Sequence, residues 1–397
     1  MARAHQALKL LIWDDYNKTQ LEDDLSGRWN MLSFSTALHG GFRDLRMIVP
    51  MGLEKAWLWL NRENLPGRHF HHIEVSEDKR VVWEGRVTGV ELRLERDFTG
   101  LDIIAMGYWS SMRDQLYDPA DAGNTDWTIS GPHNSGKVIR EMITKECPDI
   151  NGTADVTLTS DNVVGIDLTA RSYPQDVIVD KLAPLGDQGT AVYFFAVWES
   201  RKPYYTARSV SQVDWYLWLR DVERLSLRQD GMHLRNSILP VVGTAEGTST
   251  LDGESTADYP LRELMILLPS GITATVANNA RDVALSERKF PRQDQTFSVS
   301  GRVYSTKLAG VDEQAADAVS GAMAERPKWW VRAGQTIRIQ DLVPASAATP
   351  KLDDLRTFYI VETVYDASTD RLLVVPDRPL GRLGVLLSRL GQLERDR

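Results

Sequence analysis

The first third of the chain alternates apolar and polar residues in the manner of antiparallel β-strands. Residues 8–13 and 29–34 are short, mostly apolar runs that predict two strands. Between residues 90 and 95, apolar and charged residues alternate, which predicts a strand with one buried and one solvated face. Residues 101–108 form another largely apolar run. Short strands at hairpin spacing predict a small barrel or a sandwich in this region.

Helical periodicity interrupts the β pattern in two places. A helix is predicted over residues 52–61, where Leu53, Trp57 and Leu60 share one face. From residue 119 to about residue 205 the pattern is a mixture of two amphipathic helices and a β-hairpin. The helices are predicted over residues 138–147 and 172–186, and the hairpin over residues 191–208.

The second half of the chain returns to β structure around a helical stretch. Strands are predicted before residue 243 and again after residue 326, where Ile337 and Ile339 alternate with polar neighbours. Residues 243–258 are rich in Gly, Thr, Ser and acidic residues, so a mobile loop is predicted there. Apolar spacing predicts two helices between these β regions, over residues 276–284 and 312–323.

Composition and charge exclude several classes of protein. The chain has 397 residues, enough for about two to four domains. Its net charge of −9 argues against a surface that recruits nucleic acid. The single cysteine, Cys147, cannot form an internal disulfide and is predicted to be a packed side chain. Because neither a membrane-length apolar run nor a secretion signal is recognisable, we expect synthesis and folding in a cytosol.

One segment has the spacing of a phosphate-binding loop. Residues 131–137 read Gly-Pro-His-Asn-Ser-Gly-Lys, but Val138 follows where a Ser or Thr hydroxyl must hold Mg²⁺. We therefore predict a polar loop in which Asn134 or Ser135 caps a helix. Nucleotide hydrolysis is the least favoured function.

The remaining polar clusters do not predict an enzyme. His69 and His71 would share one strand face beside His72, but no third or fourth metal ligand is evident nearby, so an exposed strand face is predicted. Paired carboxylates are predicted to lie in solvated loops; they are Asp14-Asp15, Glu22-Asp23-Asp24 and Asp353-Asp354. We predict no catalytic residue, no metal site and no cofactor.

Large aromatic and leucine side chains are the candidate contact residues. The chain contains 12 Trp and 12 Tyr, which suit both cores and protein interfaces. Trp215 and Trp218 point to opposite faces of one predicted strand. A sugar could stack on these two residues or on the consecutive pair Trp329 and Trp330. Packing in the core or between subunits is the favoured use of all four. A leucine stripe after Pro379 predicts an amphipathic helix that needs a partner; it comprises Leu383, Leu386, Leu387 and Leu390.

Several short motifs and their order resemble phage tail baseplate hub proteins. In that family a strand ending in Gly-Arg-Val, here within residues 83–87, precedes one ending in Gly-Tyr, here residues 101–108. Residues 235–243 are similar to a strand of the second hub barrel. Residues 331–339 resemble its return strand.

The resemblance implies an α+β, mainly antiparallel β fold with two small tail-hub β-barrels and α/β insertions. The implied division has a first barrel, an α+β insertion, a discontinuous second barrel, a loop and helical insertion within it, and an amphipathic C-terminal segment. Their boundaries are residues 1–118, 119–205, 206–243 with 326–379, 244–325, and 380–397.

The implied function is structural rather than enzymatic. Such a hub is a homotrimer whose pseudo-sixfold ring joins the sixfold tail tube to the threefold tip of the virion and lets DNA pass. Its implied partners are its own copies, a distal tail or tail tube protein, the tape measure protein and a central fibre or tip protein, with DNA only as passing cargo. A hexameric distal tail protein and a carbohydrate-binding tail module remain the alternatives. The negative charge is expected to line the channel.

Overall fold

Strands make up most of the regular structure, as the alternating sequence pattern predicts. The computed structural model describes residues 7–14, 16–60, 71–77, 80–118, 134–158, 171–183, 193–207, 213–225, 234–268, 273–289, 296–307, 319–342 and 356–376.

The first third folds into one antiparallel sheet, here called the first sheet. Its strands are β1 (Leu8–Trp13), β2 (Leu21–Asp24), β3 (Met31–Ala37), β4 (Gly40–Pro50), β5 (His72–Glu77), β6 (Arg80–Glu95) and β7 (Phe98–Met106), with helix α1 (Leu53–Leu60) after β4. They pair in the spatial order β2-β1-β5-β6-β7-β4-β3. The prediction of antiparallel hairpins in this region is confirmed.

Strand β6 lies in the middle of the first sheet and pairs with a different neighbour along each part of its length. It is 16 residues long; its first part pairs with β5 and its last part with β7, with a register shift between Val87 and Gly89. A Cβ atom at Gly85 would lie 2.3 Å from the carbonyl oxygen of Met106. Glycine is therefore required where the two backbones approach most closely, just before the bulge.

The middle region, residues 134–207, contains two helical segments and a hairpin. They are α2 (Ser135–Glu146), α3 (Pro174–Val177, continuing as π-helical Ile178–Leu182), β8 (Tyr193–Trp198) and β9 (Lys202–Ala207). Its own hydrophobic core lies between α2, α3 and the hairpin. Strand β8 joins the first sheet by a short parallel pairing with β4 at Gly40 and Gly41. The predicted helices and hairpin are confirmed to the extent that the structure describes them.

The rest of the chain supplies a second group of strands and a small separate sheet. The elements are β10 (Trp215–Trp218), β11 (Val222–Arg224), β12 (Ser237–Val242), β13 (Ala245–Glu246), β14 (Thr250–Leu251), α4 (Gly253–Asp258), β15 (Glu263–Leu268), α5 (Ala274–Arg288), β16 (Phe297–Val299), β17 (Val303–Lys307), β18 (Val319–Arg326), β19 (Thr336–Gln340), β20 (Thr357–Asp366) and β21 (Arg371–Pro376).

The C-terminal strands, β10–β11 and β16–β21, are organised around β20. Strand β20 pairs with β19, β21 and β3 of the first sheet, so the first sheet and the C-terminal strands form one continuous hydrogen-bonded system. Strand β19 continues to β10, β17 and β18, and β21 continues to β16 and β11. One hydrophobic core runs through both groups of strands.

The small sheet corrects the prediction of a mobile loop at residues 243–258. Strands β13, β14 and β15 all pair with β12, and α5 packs against them. The segment is polar because it needs caps rather than core residues: Asp252 accepts a hydrogen bond from the main-chain N–H of Ser255 at 2.8 Å, and the Ser255 hydroxyl donates to the carbonyl of Lys289. The helix predicted over residues 276–284 is confirmed as α5.

Of the other two helical predictions, one is wrong and one is confirmed. Residues 319–323 lie in strand β18, because pairing with β17 overrides the local apolar spacing; residues 312–318 lie outside the described part. Helix α1 forms as predicted, but Leu53 and Trp57 are 48% and 55% exposed, while Ala56 and Trp59 are buried. The face that carries Leu53 and Trp57 is therefore turned toward solvent.

Candidate functional site

Trp329 and Trp330 join the C-terminal strands to the first sheet. They lie on a 3-10 turn, Lys328–Trp330, after β18. Both indole N–H groups donate to one carboxylate oxygen of Glu77 at the end of β5, at 2.9 and 2.6 Å. The Arg80 guanidinium lies 4.2 Å from the centre of the Trp330 ring. We call Glu77, Arg80, Trp329 and Trp330 the tryptophan seam.

Charged groups beside the tryptophan seam are buried together. Burial, followed by the nearby positive charge of Arg332, lowers the pKa of Arg80 to about 9. Arg332 donates to Glu199 at 2.7 Å and to the carbonyl of Val81 at 2.6 Å. Burial raises the pKa of Glu199, but the Arg332 charge and hydrogen bonds outweigh it, and the net shift is downward. Arg332 therefore connects the first sheet, the middle region and the C-terminal strands.

The other two predicted tryptophans occupy different environments. Trp215 is buried and donates its indole N–H to Gln335 at 2.7 Å, whereas Trp218 is half-buried on the opposite face of β10. The predicted alternation of this strand is confirmed. Because Trp215 and Trp329 are used in the core of the same chain, Trp218 and Trp330 are the members of the predicted set that keep accessible surface. The leucine stripe at residues 383–390 lies outside the described residues.

A cleft of about 580 Å³ lies between the β8–β9 hairpin and the C-terminal strands. Its walls carry aromatic side chains, including Trp198 and Tyr204, and the buried Arg332–Glu199 pair. Arg332, which lies beside the tryptophan seam, therefore also lines the cleft.

An apolar surface lies where α1 packs against β6 and β7. Leu53 and Trp57 on α1 and Leu94 on β6 are exposed, Leu94 by 61%. We call these three residues the α1–β6 surface. Large exposed apolar side chains on neighbouring elements are typical of contacts with another protein. The α1 periodicity placed Leu53 and Trp57 on one face, but it did not show that this face is exposed.

The outer face of β5 and β6 carries a buried polar layer rather than solvated side chains. His72 and Glu84 are each 1% exposed, and His71 is also buried, so the prediction of an exposed histidine face is wrong; His69 lies outside the described residues. The middle region covers this face: the main-chain N–H of Arg201 donates to Glu84 at 2.6 Å. His72 Nδ1 lies 2.8 Å from the Tyr108 hydroxyl.

Arg86 completes this layer. Its guanidinium donates to Asp114, in one bond at 3.0 Å, and to the Ser110 hydroxyl at 3.1 Å. It also lies 3.7 Å from Asp149 of the middle region. We call the contact between the β5–β6 outer face and the middle region the polar joint; its members are His72, Glu84, Arg86, Tyr108, Asp114, Asp149 and Arg201.

Burial shifts the protonation of two groups in the polar joint. Burial raises the pKa of Glu84 to about 7, because a main-chain hydrogen bond from Arg201 only partly replaces lost water. Burial, followed by the charges of Lys18 and Arg201, lowers the pKa of His72 to about 3. His72 is therefore neutral at pH 7, and Glu84 is near the midpoint of its titration.

The loop with phosphate-binding spacing forms a helix cap. Asn134 accepts a hydrogen bond from the main-chain N–H of Lys137 at 3.1 Å, as predicted, and the Ser135 hydroxyl lies 3.0 Å from that of Tyr205; residues 131–133 lie outside the described part. Cys147 is buried, and burial raises the pKa of its thiol to about 12, which fits a packing role.

The acidic pairs are less solvated than predicted. Residues 22–24 belong to strand β2 rather than to a loop, and Asp23 is buried with Lys55 at 2.5 Å. Asp14 accepts from the main-chain N–H of Gln20 at 2.9 Å. Residues 15, 353 and 354 lie outside the described part of the chain.

Comparison with known proteins identifies the fold. No family model and no curated protein matches the sequence. The chain is similar in structure to the 43 kDa tail protein of prophage MuSo2 from Shewanella oneidensis, with a TM-score of 0.57, 11% identity, and 94% of this chain and 97% of that chain covered. A tail protein from Neisseria meningitidis MC58 gives a TM-score of 0.58 at 10% identity, with the same coverage of both chains.

A third solved structure extends the comparison. Prophage tail protein gp18 from Listeria monocytogenes EGD-e gives a TM-score of 0.50 at 10% identity and covers 98% of this chain and 99% of that chain. The chain thus has the fold of these phage tail proteins along nearly its whole length. No helix within the described residues has the length and apolarity needed to cross a membrane.

Proposed function

We propose that this chain is a structural protein of a phage or prophage tail and acts as its baseplate or tail-tip hub. The observation that carries the proposal is the match of fold over 94% of this chain and 97% of two tail proteins. A match over whole chains supports a shared role in a particle more strongly than a match of one module does. We assign the protein to the virion tail, after assembly in the host cytoplasm.

The pairing of the C-terminal strands supports a barrel in the second half. From β10 the pairings run through β19, β20, β21 and β16 to β11. Strand β11 follows β10 after one 3-10 turn, Leu219–Asp221, so the sequence of pairings returns to almost the same stretch of chain. We propose that this group is the second hub barrel and that the first sheet is its counterpart. Two such units in each of three copies would make a pseudo-sixfold ring.

Three surfaces are candidates for the contacts between copies. The α1–β6 surface exposes two leucines and a tryptophan. Trp218 and Trp330 keep accessible area beside arginines, Arg220 at 5.8 Å and Arg80 at 4.2 Å, a pairing typical of interfaces. We also assign the leucine stripe at residues 383–390 to docking, either on another copy or on a neighbouring tail protein.

The neighbours of a hub define the remaining partners. We propose contacts with a distal tail or tail tube protein on one side, a central fibre or tip protein on the other, and the tape measure protein in the channel. A net charge of −9 suits a wall past which DNA slides without adhering, if the acidic groups line the channel. DNA is then cargo and not a ligand.

Light scattering of the purified chain tests the proposal. A hub predicts three copies per particle, whereas a distal tail ring predicts six. Trp57→Glu should release monomers, because it places a charge in a buried apolar contact. The matched control is Leu261→Glu, since Leu261 is equally exposed, at 59%, but lies outside the α1–β6 surface. A wild-type monomer at high concentration contradicts the hub, and unchanged assembly of Trp57→Glu removes this surface from the interface.

A further inference from the structure

Three side chains in and beside the polar joint have the composition of a metal site. His72 and Glu74 are two residues apart on β5 and therefore share its outer face. Glu84 on β6 lies directly opposite Glu74 in the pairing of the two strands. One ligand atom from each of the three lies within 4.8 Å of the others. The assembly function proposed above uses none of these residues.

The imidazole of His72 has a nitrogen with no hydrogen-bond partner. Its Nδ1 is engaged with the Tyr108 hydroxyl at 2.8 Å, but its Nε2 is buried and makes no hydrogen bond within the described part of the chain. A buried polar atom in this state destabilises the fold, because its lost hydrogen bonds to water are not replaced. When Nδ1–H donates to Tyr108, Nε2 carries the lone pair that a metal needs. A hydrogen bond on the far nitrogen is the usual way in which a metal-binding histidine is oriented.

The negative charges of the two carboxylates are compensated in different ways. Lys18 forms an ion pair with Glu74. Glu84 is instead held by the main-chain N–H of Arg201, at 2.6 Å. Because a main-chain N–H is a neutral donor, it offsets only a small part of the free-energy cost of burying the Glu84 carboxylate. A second positive charge at this place would offset that cost.

We propose that His72, Glu74 and Glu84 bind one divalent transition-metal ion, best matched by Zn²⁺. One imidazole and two carboxylates are a nitrogen and oxygen donor set that suits zinc, with water as a fourth ligand. Calcium and magnesium prefer six or more oxygen ligands, which this group does not offer. Tetrahedral bonds to zinc place ligand atoms roughly 3.4 Å apart, so small side-chain rotations inward from the present spacing are sufficient.

The ion would have a structural role. Its three ligands lie on two adjacent strands of the first sheet, and Glu84 also contacts the Arg201 turn of the middle region. Binding would therefore tighten the polar joint. Lys18 is the natural competitor, since its ammonium group already contacts Glu74 and repels a second cation.

Calorimetric titration of the full chain with Zn²⁺, after removal of metals by a chelator, tests the site. We expect one Zn²⁺ per chain and a rise in the temperature of unfolding. His72→Asn and Glu84→Gln should each weaken binding by at least about tenfold. His39→Asn and Glu246→Gln are the matched controls, because neither residue belongs to the cluster. Both should bind as the wild type does.

Lys18→Gln gives a prediction in the opposite direction. Removing the competing ammonium should tighten zinc binding several-fold, and the half-exposed position of Lys18 makes the variant tolerable for folding. If His72→Asn does not fold, this variant and Glu84→Gln still decide the question. The proposal is overturned if the wild type does not bind zinc, or if binding is equally tight in Glu84→Gln and unaffected in Lys18→Gln, which would indicate adventitious surface binding.

Discussion

The first sheet makes two joints of different character. Its β3 edge and the end of β5 meet the C-terminal strands through main-chain pairing with β20, a shared hydrophobic core and the tryptophan seam. Its outer face meets the middle region through the polar joint, a two-residue pairing of β4 with β8, and apolar contacts such as Phe42 with Trp198. Apolar packing is therefore present at both joints, but the joint with the middle region adds a layer of buried ionisable groups.

The two joints should therefore respond differently to pH and to ions. Apolar packing and main-chain pairing change little with pH or ions near neutrality, whereas buried ionisable groups respond to both. In a tail particle the C-terminal strands would then move as one body with the first sheet. The middle region is the part whose attachment can be strengthened or weakened. Each prediction below alters one joint and leaves the other intact.

The largest effect is expected in the tryptophan seam. Trp329 is 3% exposed and belongs to the core that both groups of strands share. Trp329→Ala should lower the free energy of unfolding by about 3–5 kcal/mol, because it leaves a cavity and removes the indole donor from Glu77. Urea unfolding measures the loss. Leu261→Ala is the control, because Leu261 is exposed and lies outside both the tryptophan seam and the α1–β6 surface, and it should change stability by no more than about 0.5 kcal/mol. Similar losses in both variants would contradict a joint centred on Trp329.

The next effect is a pH dependence confined to the polar joint. The pKa of Glu84 is raised from 4.5 to about 7, so the folded state holds a proton that the unfolded state has released, and stability falls as pH rises through this range. The pKa of His72 is lowered from 6.5 to about 3, so stability falls as pH drops through that range. Between pH 4.5 and 6.5 the two slopes oppose each other.

Glu84→Gln should expose the histidine slope. In metal-free buffer its stability should rise as pH rises toward 6.5, by up to about 1.4 kcal/mol per pH unit and by about 3 kcal/mol between pH 4.5 and 6.5. The exposed variant Glu246→Gln should follow the wild-type curve. Unfolding in denaturant at a series of pH values gives both profiles, and parallel curves for Glu84→Gln and the wild type would mean that Glu84 keeps its ordinary pKa.

The smallest effect distinguishes an ion pair whose arginine is buried from one whose arginine is exposed. Asp114→Ala should cost about 1–3 kcal/mol, because it leaves the buried guanidinium of Arg86 without its main acceptor. Asp176 pairs with Arg113 at 2.6 Å, but both side chains are largely exposed, so Asp176→Ala should cost about 0–1 kcal/mol. Thermal unfolding of the two variants side by side measures the difference. Equal costs would show that the polar joint is open to water.

The local features of the fold could be predicted from sequence, whereas most of the joints could not. A short apolar run predicted β1, and the Asn134 cap followed from the residue types. The β strand at residues 319–323 was missed because only its partner β17 decides between helix and strand.

The polar joint shows why the site was missed. His72 and Glu74 are visible as an i, i+2 pair, but Glu84 joins them only through the β5–β6 register. The cover that buries them comes from Arg201, more than a hundred residues later. A histidine next to a strand pattern was therefore interpreted as exposed. A histidine and a carboxylate two residues apart on one strand, with a second carboxylate opposite them on the next strand of a short hairpin, are the signal that could have found this cluster.

Electron microscopy of the assembled particle tests the central claim most directly. A hub with two related β units per chain predicts threefold symmetry, with six similar densities around one channel and the middle regions at three equivalent positions. Strict sixfold symmetry, with one chain in each of six positions, would contradict the hub and favour a distal tail ring. A particle without a central channel would contradict both.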